Sequence, residues 1–112
     1  PLSLLTQKKI NKNKKIKNMK ILKFSATWCG PCKTLAPIFE KVKNMEEFNE
    51  VSFQEFDVDD DDSAELIEKY SIRNVPTIMF VDENNEPTKR VVGSLSEQNL
   101  VQLIRDELAN GE

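Results

Sequence analysis

Apolar residues recur from Met19 onward with two different spacings. Met19–Ser25 is a mostly apolar run, which is typical of a buried strand. In the segment that follows, apolar positions recur every three or four residues, and this spacing predicts a helix with one face toward the core. These positions are Leu35, Ile38, Phe39 and Val42. Pro37 lies within this helix, where we expect a kink.

A second strand and helix are predicted after residue 50. Val51–Val58 alternates apolar and polar residues with one change of phase, and Asp59–Asp62 ends the strand. We expect these aspartates to cap the next helix, whose apolar face contains Leu66, Ile67 and Tyr70. The run lacks the spaced ligands, the glycine and the terminal glutamate of a calcium loop. We therefore interpret it as a cap and a solvated turn.

Two further strands and a final helix complete the pattern. Ile78–Val81 is an apolar strand, residues 83–86 form a turn, and Thr88–Val92 returns as a strand. The last helix begins near Ser96. Its apolar face contains Leu100, Leu103, Ile104 and Leu108. The order βαβαββα, without internal repeats, predicts one α/β domain over residues 19–112.

Residues 1–18 differ in composition from the rest of the chain. Residues 1–20 contain seven lysines and no acid, whereas the whole chain has a net charge of −3. We expect a basic, flexible extension, because this composition buries little apolar surface. It could be an arm for nucleic acid or anionic surfaces, a solvated tail, or residues upstream of a natural start at Met19. The absence of interleaved aromatic residues argues against nucleic acid.

Length and hydropathy set the general class of protein. With 112 residues and 38% hydrophobic content, the chain can bury one modest core. No apolar stretch approaches the roughly 20 residues that a membrane-spanning helix needs, so we expect no membrane span. The N-terminus has leucines first and lysines second, the reverse of a signal peptide. We therefore expect a cytoplasmic protein.

The candidate chemistry lies in the only two cysteines, Cys29 and Cys32, which are separated by Gly30 and Pro31. A disulfide across so short a gap restricts the unfolded chain very little, so a purely stabilising bridge is a poor explanation. Structural zinc usually needs about four ligands, and the chain has no histidine and no third cysteine. Two buried thiols in a core fit poorly with the intervening turn residues. We interpret the pair as a redox dithiol.

This spacing suits thiol–disulfide exchange, in which one thiolate attacks a disulfide and a nearby thiol resolves the mixed disulfide. If a helix begins at the motif, Cys29 lies at its N-terminus, where free N–H groups favour the thiolate. Pro31 fits a first helical turn. Cys32, one turn further, would be shielded and would resolve the intermediate. Lys33 adds a nearby cation, although we favour its interpretation as a solvated surface residue, because exposed charges contribute little.

Further motifs on residues 19–110 resemble those of the thioredoxins in order and spacing. They are Trp28–Lys33, Pro37, Asp57–Asp59, Tyr70–Thr77 and Val92–Gly93. The resemblance implies a thioredoxin fold, a central mixed β-sheet flanked by helices, with Cys29 as nucleophile and Cys32 as resolving thiol. It also implies that Pro76 is the family's cis-proline and that the backbone of Val75 pairs with an extended substrate segment. The implied substrate-binding surface is Trp28, Gly30, Pro31, Val75, Pro76 and Gly93.

One departure from the family concerns a buried charge. The position five residues before Trp28, where thioredoxins carry a buried acid, is Lys23, and the strand position of its usual lysine partner is Glu55. We expect a charge-reversed ion pair beneath Cys32. A charged Lys23 would stabilise the Cys32 thiolate and make the protein a stronger oxidant than ordinary thioredoxins. Alternatively, Lys23 extends to solvent and has no effect.

A second departure is the lack of the strand and helix with which thioredoxins usually begin, because residues 1–18 show almost no pattern of either. Glutaredoxins also lack these elements, but Gly30-Pro31 argues against that class.

We expect a protein dithiol–disulfide oxidoreductase that reduces partner disulfides and is re-reduced by a thioredoxin reductase or a small thiol. The expected protein is a monomer without metal or organic cofactor. A thioredoxin-like binding subunit and a thiol oxidant or isomerase remain alternatives.

Overall fold

The computed structural model describes residues 19–110, in which strands and helices follow one another in the order βαβαββα. The strands are β1 (Lys20–Ser25), β2 (Ser52–Asp57), β3 (Thr77–Val81) and β4 (Pro87–Val92). The helices are α1 (Gly30–Lys43), α2 (Ala64–Lys69) and α3 (Glu97–Asn110). Short 3-10 turns occur at Glu46–Phe48 and Asp61–Ser63. The predicted order of elements is confirmed, and the strand limits differ from those predicted by one residue.

The four strands form one mixed sheet in the order β2-β1-β3-β4. Strands β1 and β2 are parallel, as the helical crossover through α1 requires, whereas β3 is antiparallel to both β1 and β4. The turn between β3 and β4 is stabilised by Asp82, whose carboxylate accepts the backbone N–H groups of Asn84 and Glu86. The prediction of a central mixed sheet is thus confirmed.

Alternation along the strands divides the buried residues between the two faces of the sheet. On one face Ile21, Ile78 and Phe80 belong to a core cluster with α1 and α3. The helical residues in this cluster include Leu35, Phe39, Val42, Leu100, Val101 and Ile104. On the other face Leu22 and Phe24 cluster with residues of α2 and the loop after it. The helix faces predicted from spacing are therefore the ones that pack against the sheet.

The aspartates after β2 differ from expectation in the element that they cap. The Asp60 side chain accepts the backbone N–H of Asp62, which caps the 3-10 turn at Asp61–Ser63. Helix α2 begins after Ser63, which makes no side-chain capping bond. The prediction that the aspartates cap this helix was wrong, because a 3-10 turn intervenes and uses the cap. Within residues 19–110, no group of three or more metal-ligating side chains is suitably placed for a metal ion.

Residues 1–18 lie outside the described residues, and the predictions of a basic extension and of a missing first strand and helix concern that segment. Among the helices described between residues 19 and 110, none is both long enough and apolar enough to span a bilayer. Pro37 lies inside α1, which continues through it to Lys43.

Candidate active site

The two cysteines lie at the start of α1. Cys29 is the N-cap residue in an extended conformation (φ −91°, ψ 117°), and Cys32 lies in the first turn. They form a disulfide with Cα atoms 5.2 Å apart. Both side chains are buried, at 5% and 4% exposure. The helix places the second cysteine over the first, because its first turn brings residues three apart onto the same side.

The same geometry selects Cys29 as the sulfur best able to carry negative charge after reduction. The backbone N–H of Cys32 donates to Cys29 Sγ over 3.2 Å. The first N–H groups of a helix have no intrahelical acceptor, and the positive end of the helix dipole adds to their effect. A Cys29 thiolate would therefore be stabilised by the helix that it caps. Pro31 lies in the first turn of α1, and Lys33 is exposed to solvent.

A loop at the same end of the sheet faces the cysteines, because Phe24 near the end of β1 pairs with Thr77 at the start of β3. The Val75–Pro76 peptide bond is cis, and the carbonyl oxygen of Val75 lies 3.7 Å from Cys29 Sγ. Gly93 has φ +101° and donates its N–H to the carbonyl of Pro76 over 2.8 Å. Positive φ favours glycine, so this residue type suits the end of β4. The fold thus brings Cys29, Val75, Pro76 and Gly93 together from three separate segments.

Exposed apolar groups border the cysteine pair. Trp28 is 67% exposed, and its indole N–H donates to Asp59 Oδ2 over 2.8 Å. Val92 is 54% exposed beside Gly93, while Gly30 and Pro31 are also exposed. The sequence analysis included Asp59 and Val92 in motifs that resemble those of thioredoxins but gave neither residue a role at the site. No local spacing indicates the contact between Asp59 and Trp28 across 31 residues.

Lys23 and Glu55 form an ion pair with Nζ and Oε1 3.0 Å apart. Lys23 is 4% exposed and Glu55 is 42% exposed. Burial alone raises the pKa of Glu55, but its hydrogen bond and ion pair with Lys23, together with the charge of Lys43, lower that pKa below its ordinary value overall. The second carboxylate oxygen of Glu55 lies 3.6 Å from Nζ of Lys43. The pair therefore links β1 and β2 to the end of α1.

The ammonium group of Lys23 also lies 5.0 Å from the centre of the Phe39 ring. Phe39 follows Cys32 by seven residues, which is about 10 Å along a helix. The partners of Lys23 are thus Glu55 on β2 and Phe39 in the later part of α1, whereas Cys32 belongs to the first turn of that helix. The predicted position beneath Cys32 stays a prediction, since these contacts connect Lys23 to other residues.

The sheet order, the disulfide at the start of a helix and the facing proline loop indicate one family, and a direct comparison identifies it. The family model described as thioredoxin matches residues 3–106. The chain belongs to the thioredoxin family. Within that family, a Cys-X-X-Cys pair at disulfide distance is the site of thiol–disulfide exchange, and the chain is accordingly a dithiol–disulfide oxidoreductase.

Individual thioredoxins are similar over most of the described domain. A thioredoxin of Aspergillus fumigatus is 39% identical over 74 residues, which are 66% of this chain and 64% of the relative. A bifunctional thioredoxin reductase/thioredoxin of Mycobacterium leprae is 32% identical over 90 residues, 80% of this chain and 19% of that protein. The X-ray structure of Fasciola hepatica thioredoxin has a TM-score of 0.69 and 34% identity, with 90% of this chain and 89% of that chain covered.

Proposed function

We propose that this protein reduces disulfide bonds in other proteins, with Cys29 as nucleophile and Cys32 as resolving thiol. The Cys29 thiolate attacks one sulfur of the partner disulfide, and the other partner sulfur leaves as a thiolate that takes up a proton. Deprotonated Cys32 then attacks Cys29 Sγ and releases the second partner thiolate. The partner gains two electrons and two protons, and the protein ends as the Cys29–Cys32 disulfide.

The observation that carries this proposal is the placement of Cys29 at the N-terminus of α1 with the Cys32 N–H directed at its sulfur. This arrangement stabilises a thiolate on Cys29, and Cys32 is within bonding reach for the resolving step. Burial does not distinguish the two cysteines, which are 5% and 4% exposed, so the proposed order of attack depends on the helix N-terminus that stabilises a thiolate on Cys29.

We also propose that partner proteins dock beside the cysteines on a surface that we call the docking face. It consists of Trp28, Gly30, Pro31, Val75, Pro76 and Gly93. The backbone of Val75, whose carbonyl lies beside Cys29, is the element that would pair with an extended segment of the partner. The exposed Trp28 ring offers apolar area at this surface.

The charged residues near the site have a proposed tuning role. Lys33 follows Cys32 directly and, as an exposed cation, would favour the thiolate weakly through solvent. Lys23, paired with Glu55, would favour the reduced form through the field of its charge. Its contacts with Phe39 and Glu55 argue for a modest effect on the reduction potential. A Lys23→Met substitution should therefore shift the potential slightly toward stronger reduction.

The proposed electron donor is a thioredoxin reductase or a small thiol. We also propose that the protein is a monomer and that it is located in the cytoplasm. A reductase partner is supported by the Mycobacterium leprae relative, whose name joins the two activities in one chain. The reaction needs only two thiols and an external donor, so the proposal includes no metal or organic cofactor.

Insulin-disulfide reduction with dithiothreitol tests the function, with wild type compared to Cys29→Ser. The proposal requires turnover in the wild type and its loss in the variant. Turnover that is absent, or unchanged by the substitution, would favour a docking subunit in which redox chemistry is secondary. A titration of the reduction potential on the same preparation separates a reductase from an oxidant or isomerase, since a difference of about 30 mV corresponds to about 1.4 kcal/mol.

A further inference from the structure

Arg90 is an exposed residue of β4 whose guanidinium group reaches the end of α2. One of its N–H groups donates to the carbonyl of Ser71 over 3.1 Å, and another donates to the carbonyl of Tyr70. Carbonyls at the end of a helix have no intrahelical donor and carry the negative end of its dipole. A forked cation that binds two successive carbonyls therefore stabilises this helix end.

The loop that begins there needs such support, because it contains an unfavourable backbone conformation. Ser71 has φ 52°, a value that residues with a side chain seldom adopt. The loop runs from Ser71 to Pro76. The carbonyl of Val75, near the end of the loop, lies beside Cys29. The far end of the loop is fixed by the Gly93 N–H, which donates to the carbonyl of Pro76. Arg90 belongs to β4 and Gly93 directly follows this strand, so one segment of the chain contacts the loop at both ends.

We infer that Arg90 is a positioning residue for substrate recognition, which acts by fixing the Ser71–Pro76 loop so that the Val75 backbone faces Cys29. This inference rests on the proposed function. Arg90 touches neither cysteine and takes no part in electron transfer. Its loss should widen the range of loop positions, and the population with Val75 correctly placed should decrease. Docking of an extended protein segment depends on that placement, whereas attack on a small disulfide depends on it far less.

The test compares Arg90→Met, which keeps an unbranched stem and removes the donors, with Arg90→Lys, which keeps the charge but not the fork. Lys89→Met is the matched control, because Lys89 is an exposed cation on the same strand. Each variant is assayed with insulin and with 5,5′-dithiobis(2-nitrobenzoate), well below its unfolding temperature. The reduction potential is measured on the same preparations.

In Arg90→Met, we expect KM for insulin to rise about fivefold, with a much smaller change for the small disulfide and the same potential. The KM of Arg90→Lys for insulin should lie between the values of Arg90→Met and the wild type. The KM of Lys89→Met should equal that of the wild type. An unchanged KM for insulin would overturn the inference. Equal losses with both substrates would also overturn it, since they indicate general damage to the site.

Hydrogen exchange keeps the inference testable if the wild type reduces neither substrate, an outcome that would refute the proposed function. The Ile72 N–H donates to the Ile67 carbonyl over 2.9 Å at the start of the loop. Arg90→Met should accelerate exchange of this amide at least about threefold relative to Lys89→Met. Equal exchange in the two variants would show that Arg90 does not fix the loop.

Discussion

Replacing Glu55 with Gln should destabilise the protein, because it removes the carboxylate that faces a buried cation. The Lys23 ammonium would keep the Phe39 ring and a neutral amide as partners. Breaking a fully buried ion pair costs about 3–5 kcal/mol, whereas exposed pairs contribute about 0.2–1 kcal/mol. Lys23 is 4% exposed and Glu55 is 42% exposed, so this pair lies between those limits. After the discount for solvent screening of Glu55, we expect a loss of about 1.5 kcal/mol.

Removal of both charges should cost less than removal of the carboxylate alone. In the double variant Lys23→Met/Glu55→Gln, an apolar side chain occupies the buried site, and no uncompensated charge remains. We expect its free energy of unfolding to lie within about 1 kcal/mol of the wild-type value. Glu68→Gln, the same change at an exposed position of α2, is the control and should be near neutral.

Urea unfolding at pH 7 and between pH 5 and pH 3 provides the measurement. The pKa of Glu55 is lowered overall from its ordinary value of 4.5. Burial raises this pKa, but the hydrogen bonds and positive charges of Lys23 and Lys43 lower it by more. A lowered folded-state pKa stabilises the protein above the unfolded-state value, and this stabilisation is lost as pH falls through the folded-state value. Wild type should therefore lose more stability below pH 4.5 than Glu55→Gln does. The reasoning is refuted if Glu55→Gln matches wild type at pH 7, or if the double variant is no more stable than Glu55→Gln.

Three further predictions concern the cysteines, a glycine and the core. Cys32→Ser should trap a mixed disulfide between Cys29 and a protein substrate, visible on non-reducing gels; release of the substrate at the wild-type rate would contradict the assigned roles. Gly93→Ala should lower the free energy of unfolding by about 1–2 kcal/mol because φ is +101°, whereas Gly30→Ala, in open space at the start of α1, should be neutral or slightly stabilising. Phe80→Ala should cost about 3–5 kcal/mol in urea unfolding, since the ring is fully buried, and a loss below about 1 kcal/mol would refute its place in the core.

Local sequence signals identified the redox pair and the element order because both depend on short spacings. The two residues between Cys29 and Cys32 place both sulfurs in one helical turn, and hydrophobic periodicity distinguishes strand from helix within about ten residues. The cap of α2 was predicted wrongly because a run of aspartates shows where a helix can start but does not reveal an intervening 3-10 turn.

Residue types and their spacing were enough to show which residues could carry the chemistry, which face of each helix is apolar and which family the motifs resemble. What those residues contact is a property of the folded chain. The Val75 carbonyl beside Cys29, the Asp59 acceptor of Trp28 and the Arg90 bonds to Tyr70 and Ser71 join segments distant in the chain. Such contacts depend on sheet order, register and helix packing together, so no local spacing predicts them. For Lys23, the ion pair with Glu55 was expected from the resemblance and follows from their register across β1 and β2, whereas the contact with Phe39 depends on the packing of α1 on the sheet.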